Sequence, residues 1–206
     1  GDFFVADMSQ HLEKRYADPE YVYPEYILNV GNNALVSNGD GFFGHWIVDV
    51  MKQGGTKLIV LDPSCTWLAS KAEYWLQVRP GTDAAVVIAM LNTIIEEDLY
   101  DHDFVENWCY GFEELAERCK EYPAELAAEI SGVDAELIRE AARAFAKANP
   151  GTIQWGLKVD QTVCGIPLAQ ALLSMGAISG DKDVPGGMII ARCAYDIPDS
   201  YGCGVW

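Results

Sequence analysis

The chain has 206 residues, half of them hydrophobic, and a formal net charge of −17 at pH 7. This length fits one large or two small domains, and the hydrophobic fraction is ample for a packed core. The acidic excess argues against nucleic acid or an anionic membrane surface as a partner. Because no run of about 18 apolar residues occurs, direct insertion into a membrane is not expected.

The first part of the chain predicts a strand, a helix and a second strand. Tyr26–Val30 is a short apolar run, and Gly31-Asn32-Asn33 follows it as a turn. The apolar spacing of His45–Lys52 predicts a helix that ends at Gly54-Gly55. Lys57–Leu61 is a short, mostly apolar run that includes β-branched residues, which is typical of a strand covered on both faces. Such a crossover is right-handed and makes its two strands parallel.

A carboxylate stands after each of two predicted strands. Asp62 follows Lys57–Leu61, and Asp83 follows the predicted strand Glu73–Val78 and the turn Pro80-Gly81-Thr82. Ligands of open α/β sheets bind just beyond the carboxyl ends of the strands, so both acids are candidate ligand contacts. The alternative is structural, because an Asp before Pro and an Asp at a helix start are common caps.

The rest of the chain is predicted to cover this sheet and then return to it. Residues 84–148 are mostly helical, with a nearly all-apolar first helix and with Asp134 as the N-cap of the last one. Thr152–Trp155 is a further strand, followed by Gly156 and then by a helix over Ile166–Ile178. We therefore expect an α/β fold, a three-layer Rossmann-like sandwich with a mainly parallel sheet. The predicted boundaries are a lead-in segment 1–24, this domain at 25–190 and a tail at 191–206.

Several familiar site signatures are absent. Gly31-Asn32-Asn33 lacks the later glycines of GxGxxG, which disfavours an NAD site, and no GxxxxGK[ST] occurs. The six cysteines include no CxxC, and the three histidines form no metal-binding pattern. We interpret the cysteines as reduced, mostly buried thiols and expect no complete metal site within this chain.

Three successive motifs resemble those of the dimethyl sulfoxide reductase family of molybdopterin oxidoreductases. They are Val30–Asn33, Lys57–Pro63 and Val78–Ala84, and their order and spacing match the family as well. The resemblance covers roughly residues 25 to 190 and continues through Glu96–Asp101, Asp103–Val105, Trp155–Gln161, Ser179-Gly180 and Pro185–Gly187.

The resemblance implies a large, typically anaerobic enzyme in which two pyranopterin guanine dinucleotides hold molybdenum or tungsten. This chain would be an interior segment, inactive alone, that binds the nucleotide end of one pterin. An iron–sulfur cluster is expected outside it. The implied partners are the pterin cofactor, the remaining domains of the enzyme and an electron-transfer subunit.

By motif position, the resemblance implies nine cofactor-binding residues and no catalytic residue. Carboxylates suit the N–H donors of guanine, and glycines let backbone N–H groups reach phosphate. The expected contacts are Gly31 and Asn33 at the pyrophosphate turn, Asp62 and Asp83 toward ribose or guanine, Gly156, Leu157 and Gln161 toward the pterin, and Leu61 and Gly81 beside the two acids.

The chain also departs from the family pattern. Ser64 stands where an Arg commonly follows the Asp-Pro pair, and Ala34 stands where a Pro is frequent. The metal-ligating residue would lie at or before Gly1, so no residue is assigned to the metal. The alternative hypothesis is a free-standing nucleotide-binding or structural module with the same fold and no catalysis. The substrate stays open, as does the compartment, on the cytoplasmic or the periplasmic side of a prokaryotic cell.

Overall fold

A computed structural model describes residues 4–8, 18–37 and 42–190. No helix in this described part is long and apolar enough to cross a membrane. The elements in chain order are β1 (Phe4–Ala6), β2 (Tyr26–Val30), α1 (Ala34–Ser37), α2 (Phe42–Gln53), β3 (Lys57–Leu61), α3 (Trp67–Lys71), β4 (Tyr74–Leu76), α4 (Asp83–Glu96), α5 (His102–Trp108), α6 (Phe112–Cys119), α7 (Ala124–Ser131), α8 (Ala135–Ala146), β5 (Gly151–Trp155), α9 (Leu157–Gln161), α10 (Gly165–Ile178) and β6 (Met188–Ile190).

The central sheet contains four parallel strands in the order β4-β3-β2-β5. Val30 of β2 pairs with Leu61 of β3 and with Trp155 of β5, and Leu61 pairs with Leu76 of β4. The last residues of all four strands therefore lie side by side. We call this side of the sheet the carboxyl edge.

Helices cover both faces of the sheet. Because successive strand residues point to opposite faces, Ile27 packs with Trp46 of α2 on one side, and Leu28 lies in the second core with Met90 of α4 on the other. Helix α4 also packs against α7, α8 and α10, which explains why nearly its whole surface is apolar. The arrangement confirms the predicted three-layer α/β fold with a parallel sheet.

A small antiparallel pair was not predicted from the sequence. Ala6 of β1 pairs with Met188 of β6, and the backbone N–H of Gly186 donates to the buried Asp7 carboxylate at 3.1 Å. This pairing joins the lead-in segment to the end of the predicted domain. The domain boundaries themselves stay a prediction, and the tail at 191–206 lies outside the described residues.

Candidate functional site

Two glycine turns lie against each other at the carboxyl edge, after β2 and after β5. Gly31 has a φ of +55°, and its N–H donates to the carbonyl of Leu61 at 3.0 Å. Gly156 donates to the carbonyl of Val30 at 3.1 Å, and a Cβ on Gly156 would lie 2.6 Å from the Gly31 carbonyl oxygen. Both N–H groups are therefore already paired within the chain. A phosphate at this turn would have to use other donors.

A partly buried ion pair crosses the carboxyl edge beside these turns. Asp83, the first residue of α4, is 1% exposed, and its Oδ1 accepts a hydrogen bond from Lys158 Nζ at 2.8 Å. Its Oδ2 is buried and has no hydrogen-bond partner. The Lys158 stem passes over Gly31, because a Cβ on that glycine would lie 2.9 Å from Lys158 Cδ. Lys158 therefore links α9 to α4 and neutralises a carboxylate that burial would otherwise penalise.

A cavity of about 390 Å³ opens between the loops that follow β2 and β5. It contains three of the nine predicted site residues, namely Gly31, Gly156 and Leu157. Lys158 is the basic side chain among the described residues that line it. The remaining lining residues are Asn32, Ala34, Ser37, Phe43, Gln154 and Trp155.

The cavity wall includes a buried carboxamide without a hydrogen-bond partner. Gln154 on β5 is 6% exposed, and both its Oε1 and its Nε2 are unpaired. Asn29 pairs with Gln154 in the sheet register, so the two amides lie on the same face of neighbouring strands. Asn29 Nδ2 donates to the carbonyl of Asn32, but its Oδ1 is unpaired as well. The cavity wall and the strand next to it thus contain buried amide groups that have no hydrogen-bond partner.

Two further predicted residues with a side-chain oxygen, Asp62 and Asn33, do not line the cavity. Asp62 Oδ1 accepts the backbone N–H of Ser64 at 2.8 Å, which is the turn-forming role that the structural alternative describes. Asn33 accepts hydrogen bonds from Ser37 through its backbone carbonyl, and its own Oδ1 is buried and unpaired.

The other three predicted site residues, Leu61, Gly81 and Gln161, do not line the cavity either. Leu61 is fully buried, and its carbonyl is used by Gly31. Gly81 has a φ of +87° with open space around it, and Gln161 is exposed at the end of α9. The roles of all nine residues in cofactor binding stay predictions.

Sequence patterns did not identify Gln154 and Lys158 as site residues. The available signal for Gln154 was a polar residue inside a short strand with otherwise buried neighbours. Lys158 stands two positions after a strand-ending glycine, but its partner Asp83 is 75 positions away in the chain. A local sequence pattern cannot predict a contact between residues so far apart in the chain.

Cysteines and acidic residues do not form a metal centre in the described part of the chain, where no group of three or more metal-ligating side chains occurs. Cys65, Cys109, Cys119 and Cys164 are all free. Cys119 is buried, and burial raises the pKa of its thiol to about 11. Cys65 and Cys164 are exposed, so the expectation of mostly buried thiols is wrong for these two.

This chain resembles known proteins in both its sequence and its fold. No family model matches the chain. Acetylene hydratase of Syntrophotalea acetylenica is 52% identical over 150 residues, which are 69% of this chain and 20% of that protein. The solved structure of acetylene hydratase from Pelobacter acetylenicus covers 98% of this chain with a TM-score of 0.83 and 39% identity, and the match is 26% of that chain.

A third relative carries the cofactor in its name. The thiosulfate reductase molybdopterin-containing subunit of Salmonella typhimurium is 33% identical over 138 residues, which are 66% of this chain and 18% of that subunit. This chain belongs to the molybdopterin oxidoreductase family. It spans about a fifth to a quarter of the length of these molybdopterin relatives.

Proposed function

We propose that this chain is the nucleotide-binding segment of a molybdenum or tungsten enzyme and that it binds the guanine dinucleotide end of one pterin cofactor. The observation that carries the proposal is the polar cavity at the carboxyl edge. Ligands of parallel α/β sheets bind at this edge, and family membership makes a pterin dinucleotide the ligand to expect.

The cavity fits the polar part of such a ligand. Its volume of about 390 Å³ lies within the range of small-molecule sites, roughly 300–1,000 Å³. Lys158 supplies a cation for phosphate, and Gln154 supplies buried donors and acceptors that lack partners. When bound, the cofactor would supply the molybdenum or tungsten chemistry, and the residues of this chain would hold and orient its nucleotide end.

The predicted site residues differ in whether they line this cavity. Gly31, Gly156 and Leu157 would contact the ligand directly. Asp83 would act through Lys158, since its own carboxylate is buried. Asp62 follows the neighbouring strand β3 and would accept guanine N–H donors with the carboxylate oxygen that Ser64 does not use.

The rest of the enzyme would cover this edge. Five apolar side chains on the segments that follow β2 and β5 are exposed, namely Leu35, Val36, Leu157, Val163 and Ile166. Exposed apolar groups concentrated in one region are typical of a contact surface. The chain is also much shorter than its relatives. We assign this surface to the remaining domains, with the iron–sulfur cluster and an electron-transfer subunit outside the chain.

Calorimetric titration with GDP, ADP and NAD tests the proposed nucleotide site. We expect binding that favours GDP. Asp62→Asn should weaken GDP binding about tenfold, because the amide keeps an oxygen for the Ser64 N–H but removes the carboxylate acceptor. Asp103→Ala on α5 is the matched control, since Asp103 is an exposed acid outside the cavity. Equal binding of GDP and ADP, or no binding of GDP, would contradict the proposal.

A further inference from the structure

The cavity at the carboxyl edge presents a cation and an unpaired carboxamide, and the sequence analysis assigned a role to neither. We propose that Lys158 and Gln154 recognise the ligand of this cavity, Lys158 through a phosphate and Gln154 through a hydroxyl or amide group next to that phosphate. The proposal rests on the nucleotide-binding function above and specifies the side chains that would select the ligand.

Gln154 has more hydrogen-bonding capacity than the fold uses. A carboxamide offers two donors and an acceptor oxygen, yet neither Nε2 nor Oε1 of this buried side chain has a partner. Native proteins leave few buried polar groups unpaired, because each one costs stability. Because Gln154 also lines the cavity, a ligand bound there would supply the partner that its carboxamide lacks.

Lys158 is held in place and still has donors to offer. An ammonium group carries three N–H donors, and Asp83 Oδ1 accepts one of them at 2.8 Å. The side chain is 32% exposed and lines the cavity, while its stem lies over Gly31. Asp83 is too buried to touch a ligand itself, so we describe it as a positioning residue that fixes the direction of Nζ.

The chemistry of the pair defines the ligand class. A protein with a net charge of −17 repels anions at long range, so an anion site needs a local cation. Lysine binds phosphate as a point charge, whereas a neutral carboxamide prefers a group that both donates and accepts. A phosphate ester with a neighbouring hydroxyl or amide, such as a nucleoside diphosphate, satisfies both side chains.

Three probes separate the two roles in calorimetric titrations, namely inorganic pyrophosphate, guanosine and GDP. Lys158→Gln should weaken pyrophosphate and GDP about tenfold and leave guanosine unchanged, and Lys158→Arg should restore most of the loss. Gln154→Leu should weaken guanosine and GDP and leave pyrophosphate unchanged. Asp83→Asn should weaken pyrophosphate but not guanosine, whereas a merely structural defect would weaken both.

A stability measurement without ligand provides a second readout for Gln154. If the carboxamide is unpaired in the folded chain, Gln154→Leu should raise the Tm by about 2–4 °C, because it removes a buried polar group without a partner. A lower Tm for Gln154→Leu would show that the fold, or water held in the cavity, satisfies the amide, and would overturn its assignment to a ligand.

The failure of this inference differs from the failure of the proposed function. GDP binding of equal strength in the original chain, in Lys158→Gln and in Gln154→Leu would overturn the inference and leave a nucleotide site elsewhere on the edge. Absence of GDP binding in the original chain would overturn the nucleotide-binding function and this inference together.

Discussion

Asp181 is a buried carboxyl group at the amino end of β5, opposite the carboxyl edge. It is 5% exposed, and burial raises the pKa of its carboxyl from 3.8 to about 7. The Gly151 backbone N–H and the Ser179 hydroxyl nearby lower this pKa, while the charge of Asp101 raises it. At neutral pH the group is therefore poised between its neutral and its ionised form.

This pKa predicts the direction in which stability changes with pH. Between about pH 4 and pH 7 the folded chain retains a proton that the unfolded chain releases, so the free energy of unfolding falls as the pH rises through this window. Asp181→Asn should remove that loss and raise the free energy of unfolding at pH 8 by roughly 2–4 kcal/mol. Urea unfolding at pH 5 and pH 8 measures the difference.

Asp103→Asn is the control for this pH experiment, because Asp103 is an exposed acid on α5. It should leave the pH dependence unchanged. An Asp181→Asn variant that loses stability at pH 8 would show that the ionised carboxylate, and not the neutral one, is required by the fold.

The glycine turns after β2 and β5 act as one packed unit. Gly156 has a φ of −103°, which any residue adopts, but a Cβ there would lie 2.6 Å from the Gly31 carbonyl oxygen. Gly156→Ala should therefore lower the free energy of unfolding by roughly 1–3 kcal/mol through overpacking. It should also shift the NMR amide signal of Gly31, whose N–H donates to Leu61.

Gly55→Ala is the matched control for Gly156→Ala. Gly55 lies before β3, has a φ of +68° and has no atom within 4 Å of an added Cβ, so only backbone strain of about 1–2 kcal/mol applies. The amide signal of Gly31 should not move in this variant. If Gly156→Ala unfolds at the same urea concentration as the original chain, the two turns are not in the close contact described.

Elements bounded by strong local signals were predictable from the sequence. Tyr26–Val30 and Lys57–Leu61 are strands to the residue, and each apolar run ends at a glycine or an aspartate. Asp134 caps α8 as expected, and its Oδ1 accepts the N–H groups of Glu136 and Leu137. Local chemistry alone decides such boundaries.

Elements that depend on distant partners were not predictable. The strands β1 and β6 have three residues each and pair across almost the whole described chain, so neither leaves a periodic pattern. The short helices α1, α3 and α9 were not predicted either, because four or five residues are too few to show a helical period. The same holds for the candidate site. The strand ends that border it were predicted from the sequence, whereas the contact between Lys158 and Asp83 depends on the tertiary fold.

At the scale of the whole molecule, the exposed segment after β5 is a feature that the isolated fold does not explain. Val163 and Ile166 are 103% and 76% exposed, although the chain contains a complete packed core around its sheet. Single exposed apolar residues are ordinary, but these two lie just before and at the start of α10, which packs against α9. Helix α9 begins with the exposed Leu157, which lines the cavity. The proposed enzyme would bury them under its remaining domains.

Stability measured in two chain lengths tests this burial. In the 206-residue chain, Val163→Thr combined with Ile166→Thr should change the free energy of unfolding by less than about 0.5 kcal/mol, since both side chains are exposed. In the longer enzyme that we propose, the same pair should cost roughly 1–3 kcal/mol, because two hydroxyls would be buried in an apolar contact. Glu140→Gln on the outer side of α8 should be neutral in both chains. An equally small effect of the threonine pair in both would mean that this segment stays exposed and that the remaining domains meet the sheet elsewhere.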